Sequence, residues 1–348
     1  MITKNYLTKT SVIAEFGVEV FDELYLENFG AFKEAKLSFS QGINVFIGEN
    51  GTGKTHLMKL VYCMQQQSSS SGLQQKLINV FRPSLGQVSR LVRRKKGSTH
   101  AKIILRDTSG NSKRLEFNNT RHKSFELTGS LDASSDPVFI PVKEVLSFAP
   151  GFISLYDKYE LSFEEIYYDI IKQAYLPARK GMPLKDEAPI LELIRKTVGG
   201  KVSISGDEFQ LKSGNSKLEM SLVAEGHRKL ALIWQLIHNG SMFSNNTLFW
   251  DEPEANLNPS LMQYVAKILV MLAERGVQIF LATHNYAFLK ELDFAQANNI
   301  SYFALEKTSD GVEPHAFSKY DSVTPNKIAD EYLRLYDLEV INSLGNAK

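Results

Sequence analysis

Gly48-Glu-Asn-Gly-Thr-Gly53-Lys54-Thr55 stands between the apolar run INVFI at 43–47 and the stretch HLMKLVYCM at 56–64. The octapeptide fits G-x-x-x-x-G-K-[ST], and a strand before it with a helix after it is the context this pattern needs to hold phosphate. Its glycines let backbone N–H groups turn inward around phosphate oxygens, and the N-terminus of the following helix adds partial positive charge. Lys54 then reaches the β- and γ-phosphates, and Thr55 ligates Mg²⁺. The nucleotide-contacting set on this reading is Gly48, Glu49, Asn50, Gly51, Thr52, Gly53, Lys54, Thr55 and His56. The alternative is a structural glycine-rich turn.

A second signal lies two hundred residues on, where Thr247-Leu-Phe-Trp250 forms a short apolar strand ending in Asp251-Glu252. A strand-end Asp orients Mg²⁺ and its waters, and the next carboxylate polarises the water that attacks a γ-phosphate. Two acids in isolation merely begin a loop; the phosphate loop is what gives them these roles. The strand VQIFLAT at 277–283 delivers His284, which strand–helix alternation places at the neighbouring strand end. A lone histidine is ordinarily structural, but one that follows an apolar strand and Thr283 fits a γ-phosphate sensor that also holds the attacking water. The candidate catalytic residues are therefore Lys54, Glu252 and His284, and the candidate metal ligands Thr55 and Asp251.

Outward from these anchors, short apolar runs over 18–47 predict strands of a β-rich N-terminal lobe. QQQSSSSGLQQ at 65–75 is polar and low in complexity and predicts a mobile loop. Residues 101–117 read as a hairpin around SGNS, whereas 118–136 are polar and carry no pattern. VFIPV at 138–142 predicts a strand that leads into a mainly helical insertion to about residue 198. A second hairpin over KVSISGDEFQLKSG and KLEMSLV precedes a helix at 226–238. After it, strand, helix, strand and helix alternate, the mark of a parallel α/β sheet. The expected division is 1–120 for a β-rich lobe with the phosphate loop, 121–220 for a helical and β insertion, and 221–348 for the lobe carrying the acids and the histidine. Heptads are not sustained, so no long coiled coil is predicted. TPNKIADEYLRLYDLEVINSL at 324–344 predicts a terminal helix packed on the core, with partner docking as the alternative.

The 348 residues are 43% apolar, enough for a substantial core, which excludes a small scaffold dependent on disulfides or metals. Forty Lys and Arg against 39 Asp and Glu leave a net charge of +1, so no global field advertises nucleic acid or an anionic membrane. Any basic surface is local, and Arg82, Arg90, Arg93, Arg94, Lys95 and Lys96 form the densest positive run, a DNA candidate. A solvated hairpin end or a face for an acidic partner explains the run equally well. The one cysteine, Cys63, cannot make an internal disulfide, which suits a reducing compartment. The opening residues lack an apolar core with a small-residue cleavage site, and no stretch is long and apolar enough for a membrane span, so a soluble cytoplasmic protein with no membrane partner is expected. There is no Cys/His metal cluster, no G-x-S-x-G motif and no nuclease centre to be read.

The phosphate loop, DEPEANLNP at 251–259 and ATHN at 282–285 together resemble the ABC-type ATPase heads of the SMC, RecF and OLD group. The resemblance covers the first 60 residues and about 220–310. It implies an α/β P-loop NTPase: an ABC-type head with a β-rich N-terminal lobe, a RecA-like parallel sheet core and a helical insertion. It implies ATP and Mg²⁺ as cofactors and hydrolysis of ATP to ADP and phosphate. LYLENFGAF at 24–32 is similar to the opening phrase of that group, which would set Phe29 or Phe32 near adenine unless they are core aromatics. Val223-Ala-Glu-Gly226-His-Arg-Lys229 resembles the short motif that contacts ATP held by an opposite subunit, and it adds Gly226 to the nucleotide-binding set. Ala224 stands where the group usually has serine, so one hydroxyl for that γ-phosphate is missing. Arg228 and Lys229 supply charge there or line a solvated helix face. Glu254 to Pro259 resembles a loop that lines the partner subunit, which implies a homodimer or higher homo-oligomer joined through ATP. For the coupling loop, which usually carries Gln, the candidates are Gln87 and Glu144.

Stand-alone ATPases of the OLD-like branch with this phrase look like those encoded beside nucleases or other toxic effectors in bacterial phage-defence systems such as Septu and PARIS. The resemblance thus implies a switch subunit controlling a separate effector protein. A RecF- or SMC-like DNA-repair clamp is the alternative. A transporter ATPase is disfavoured, since the Ser-Gly-Gly-Gln signature and a well-marked coupling Gln are missing, and a non-ABC P-loop kinase is not expected to carry DEPEANLNP or ATHN.

Overall fold

The computed structural model describes residues 20–120, 124–131, 136–159, 161–179, 187–242 and 246–345. Strands β1 (Phe21–Phe29) and β2 (Phe32–Ser38) form a hairpin buried on one face, whereas β3 (Ile43–Ile47) is buried at every position. A wholly buried strand needs cover on both sides, as in a parallel sheet. Next come α1 (Lys54–Gln66), α2 (Ser70–Phe81), β4 (His100–Asp107), β5 (Ser112–Asn118), β6 (Phe125–Gly129) and β7 (Val138–Ile140). The middle of the chain supplies α3 (Phe152–Lys158), α4 (Glu165–Ala174), α5 (Ala188–Val198), β8 (Lys201–Ser205), β9 (Glu208–Ser213) and β10 (Ser216–Glu219). The last third alternates through α6 (Glu225–Asn239), β11 (Thr247–Asp251), α7 (Pro259–Ala273), β12 (Gln278–Thr283), α8 (Tyr286–Phe294), β13 (Ile300–Thr308), β14 (Gly311–Phe317) and α9 (Lys327–Gly345).

The described residues form three sheets. The central one runs β14-β13-β3-β12-β11-β7, parallel from β13 to β7 with β14 antiparallel on its edge. An antiparallel sheet, β2-β1-β4-β5-β6, lies over one face, and β10-β9-β8 makes a small meander. Because side chains alternate along a strand, the central sheet feeds two cores. Val45, Leu248, Trp250 and Leu281 join α6 and α7 on one face, while Phe46, Phe249, Phe280 and Phe303 join α1 and the antiparallel sheet on the other. Phe139, Phe249 and Phe280 stack in a row with centroids 5.9 and 5.1 Å apart, and Tyr62 of α1 meets the first two edge-on. Cys63 sits in the same layer with no exposed surface, and burial pushes its thiol pKa far up.

The α/β class and the parallel sheet agree with the expectation, as does the absence of a long coiled coil among the described residues. Three local readings are corrected. The supposed mobile loop at 65–75 contains the start of α2: the Ser69 hydroxyl accepts from the Gly72 N–H, and Leu73, Leu77 and Val80 are buried. Their i, i+4, i+7 spacing begins too late in the polar window to register there. The patternless stretch 118–136 contributes β6, an edge strand so largely exposed that no alternation is needed. The terminal segment is a helix, α9, but it does not pack on the core. Leu333, Tyr336, Ile341 and Leu344 are each more than 60% exposed, and only its root is attached, through Tyr332 stacked on Tyr286 at 4.7 Å. Apolar spacing identifies a face, not what covers it. The expectation that the chain starts without a leader falls on residues 1–19, outside those described. Among the described residues no helix is long and apolar enough to cross a membrane.

Truncating the centre of the aromatic layer tests this packing. Phe249→Ala is expected to lower the unfolding free energy by about 3–5 kcal/mol in a denaturant titration; a loss below about 1 kcal/mol would mean the layer is not the core it looks to be.

Candidate nucleotide site

The loop between β3 and α1 turns through Gly51 and Gly53 at φ +79° and +89°, a region that L side chains rarely adopt. A Cβ on Gly53 would also lie 2.9 Å from the ring of Phe32, so the loop rests directly on that ring. Phe29 and Phe32 are both fully buried, which makes them core aromatics rather than an adenine platform. Thr52 is tucked into the loop, its hydroxyl donating to the Glu49 carbonyl at 2.9 Å. Lys54 donates to the carbonyls of Gly48 at 2.7 Å and Glu49 at 3.1 Å, and burial pulls its pKa down. His56 faces away from these groups, its ring edge-on to Phe81 at 5.4 Å.

Strand register brings the distant acids to this loop. Ile47 pairs with Thr283, and Ala282 with Asp251, so the ends of β3, β12 and β11 form one row carrying Gly48, His284 and Glu252. The Thr55 hydroxyl donates to the Asp251 carboxylate, at 2.9 and 3.1 Å from its two oxygens. Burial pushes the Asp251 pKa up to about 6; the Thr55 hydrogen bond opposes this and the charge of Glu252 adds to it. Glu252 has φ +47°, costly for a non-glycine residue, and its N–H donates to the Ala282 carbonyl at 2.9 Å. That bent backbone aims its carboxylate at His284 Nδ1, 3.0 Å away, where both side chains still reach water. The structure thus brings Lys54, Thr55, Asp251, Glu252 and His284 together. Thr55 and Asp251 fit Mg²⁺: they are hard oxygen donors in mutual contact, and the buried carboxylate has no ion-pair partner among the described residues.

Gly226 stands in the first turn of α6, against the loop that follows β11. A Cβ there would lie 3.0 Å from Leu257 Cδ2 and 3.2 Å from the Asn256 carbonyl, so glycine lets the start of α6 press against the loop after Glu252. Lys229 is only 1% exposed and donates to the Ala255 carbonyl at 2.7 Å, with burial lowering its pKa. Asn256 donates to Glu225 at 2.8 Å. Arg228 turns to the Met220 carbonyl and to Glu144, 3.4 Å away. The solvated-face reading of Arg228 and Lys229 is therefore replaced: both tie α6 to neighbouring loops. Ala224 leaves the α6 N-terminus without a side-chain cap. Of the two coupling-loop candidates, Glu144 follows β7, the neighbour of β11, while Gln87 sits beside Phe117 and Phe125 at the antiparallel sheet.

Several participants were not expected at this site from sequence. Glu254 is buried and accepts from the Thr283 hydroxyl at 2.5 Å, while Thr283 accepts from the Asn285 N–H at 3.1 Å, which braces the turn that holds His284. The other Glu254 oxygen has no hydrogen-bond partner among the described residues, and burial raises the pKa of this carboxyl. Lys307 donates to the Asn50 carbonyl at 2.7 Å, and Lys327 pairs with Glu49 at 3.0 Å. Neither lysine belongs to a motif, so spacing offers no signal for them. In the basic run, Arg82 donates to the carbonyls of Leu161 and Phe163, and Arg93 binds Asp310, which leaves Arg90, Arg94, Lys95 and Lys96 exposed.

A model of the family described as "AAA domain, putative AbiEii toxin, Type IV TA system" matches residues 43–290. The chain is similar to the DNA replication and repair protein RecF of Limosilactobacillus fermentum, 31% identical over 104 residues, which is 30% of this chain and 27% of that protein. RecF of Enterococcus faecalis is 24% identical over 134 residues, 38% of this chain and 32% of that protein. These matches span about a third or less of either relative. In shape the chain resembles an Smc head domain from Pyrococcus furiosus, solved with an extended coiled coil and bound to the C-terminal domain of ScpA. The TM-score is 0.56 at 14% identity, covering 93% of this chain and 100% of that one. A second Smc head, bound to the C-winged helix domain of ScpA, gives a TM-score of 0.57 at 14% identity, covering 87% and 98%. At such identity the likeness is one of fold.

Asp251 carries a pH signature. Its folded pKa of about 6 lies above the ordinary 3.8, so between those values the folded state holds a proton the unfolded chain has released, and stability falls as pH rises through that window. Two pKa units amount to about 3 kcal/mol at pH 7.5. With EDTA present and nucleotide absent, Asp251→Asn is expected to be more stable than wild type at pH 7.5 and to lose that advantage near pH 4. A variant no more stable at pH 7.5 contradicts the burial of this charge.

Proposed function

The chain belongs to the family described as "AAA domain, putative AbiEii toxin, Type IV TA system" and is a P-loop ATPase domain of the SMC/RecF type; from that premise we propose that it binds Mg²⁺-ATP at the β3–α1 loop and hydrolyses it to ADP and phosphate. The observation that carries this reading is the row of strand ends, with Thr55 against Asp251 and Glu252 against His284, beside Lys54. Lys54 exchanges its two loop carbonyls for phosphate oxygens. Thr55 and Asp251 hold Mg²⁺, which when bound offsets the charge of the phosphate chain. Glu252 accepts a hydrogen bond from the attacking water and takes up its proton as the water oxygen bonds to the γ-phosphorus and the bond to the departing ADP breaks. His284, whose Nδ1 faces Glu252, keeps Nε2 for that water or the γ-phosphate.

We further read the chain as pairing with a second copy across two nucleotides. Support comes from the α6 N-terminus, whose first N–H groups have no side-chain cap and can face a phosphate without the missing serine. Gly226, Lys229 and Asn256 bind α6 to the loop after Glu252, so a contact made by one is transmitted to the other. The output of the cycle is control of a separate effector, a nuclease or other toxic protein, in a bacterial anti-phage setting within the cytoplasm. The toxin-system description of the family is compatible with that role. A RecF-like clamp is the second reading, favoured by the RecF similarity and by the exposed Arg90, Arg94, Lys95 and Lys96.

Lys54→Ala is expected to abolish turnover, and normal turnover would refute the phosphate-loop assignment. Glu252→Gln should lower kcat by about 100-fold or more while leaving ATP affinity within a few-fold. A tagged Glu252→Gln chain recovered from its host with Mg²⁺-ATP should carry a nuclease or other toxic effector as its main companion. Recovery of repair proteins, or of DNA whose binding weakens steeply with salt, would replace the switch reading by the clamp.

A further inference from the structure

The phosphate loop is approached by three lysines with different electrostatic fates. Lys327 of α9 is neutralised by Glu49. Lys54 comes from within the loop. Lys307 comes from β13, which flanks β3 on the side opposite β12, and lies three residues past Ala304, the partner of Ile47. That offset, at about 3.3 Å per residue, raises it to the level of the loop. Its ammonium donates to the Asn50 carbonyl at 2.7 Å and lies 3.6 Å from where a Cβ on Gly51 would stand. Among the described residues it makes no ion pair, and Asn50 is its one hydrogen-bond partner. Its charge bears on Lys54, whose pKa it lowers along with the larger effect of burial. Two ammonium groups thus face one loop whose own carboxylate, Glu49, is already paired with Lys327, an arrangement a polyanion relieves. A lysine has three N–H donors, so two remain on Lys307 for an incoming ligand.

We propose that Lys307 is a second phosphate-binding lysine of the nucleotide site, holding the phosphate chain from the flank opposite Glu252 and His284, an assignment that rests on the ATP-binding reading above. Its bond to Asn50 keeps the loop tip in place while the free donors meet phosphate oxygen. The contact is with charge rather than with the nucleoside, so ATP and ADP depend on it and adenosine does not.

The test uses the full chain, titrated with methylanthraniloyl-labelled ATP, ADP and adenosine at about 50 and about 300 mM salt, where screening differs strongly. Lys307→Met is expected to weaken ATP and ADP binding about tenfold, the size of a charge-assisted hydrogen bond, with the loss shrinking at the higher salt and adenosine unaffected. Lys307→Arg should stay within about threefold of wild type. Lys307→Gln, which keeps a donor for the Asn50 carbonyl but no charge, should lose as much as Lys307→Met. Wild-type affinity in either uncharged variant, or an equal loss for adenosine, overturns the assignment alone, and thermal unfolding of both variants separates such a result from misfolding. A wild-type chain that binds none of the three ligands overturns the ATP-binding reading and this assignment with it.

Discussion

The backbone hydrogen bonds between β3, β12 and β11 set Ile47 opposite Thr283 and Ala282 opposite Asp251, and the rest of the molecule is arranged around that stagger. Sliding one strand by a single residue would exchange its two faces. Phe249 and Phe280 would leave the aromatic layer for the α6 and α7 side, and Trp250 and Leu281 would be forced into the space below α1. The same slip would carry Glu252 and His284 out of the row they share with Gly48. Core packing and site geometry are therefore enforced by one register, which explains how residues two hundred positions apart meet within hydrogen-bond distance.

At the edge of that row the protein concentrates unfavourable features. Glu252 sits in a left-handed backbone conformation, Asp251 and Glu254 are carboxyl groups removed from water, and Lys54 and Lys229 are buried ammonium groups bonded to carbonyls rather than to acids. Each is costly in isolation. A bound nucleotide and its metal supply the charges these groups lack, so ligand affinity and native stability are linked through the same side chains.

Much of this was legible in the sequence because it depends on local chemistry. A glycine-rich turn after an apolar strand, acids at the end of another and a histidine at the end of a third are local patterns, and alternation of strand and helix places their ends together. What escaped depends on packing partners that no local pattern encodes. Lys307 and Lys327 reach the loop only because β13 and the root of α9 come to lie beside it. Glu254 looked like part of an outward-facing loop, yet it turns inward to Thr283. Lys229 was open to two readings, charge for an opposing phosphate or a solvated helix face, and the close approach of α6 at Gly226 accompanies its burial instead. The exposure of α9 follows the same logic: its apolar face was readable, its lack of cover was not.

Cys63 gives the fold a property unrelated to chemistry on phosphate. It is the sole thiol of the chain, it lies on the helix that begins at Lys54, and it is sealed in the aromatic layer with its ionisation strongly suppressed. A thiol reagent can reach it only when that layer opens, because attack needs both access and thiolate. The rate at which the native protein becomes alkylated is accordingly a clock for opening beneath the phosphate loop, read at one atom and without an introduced cysteine.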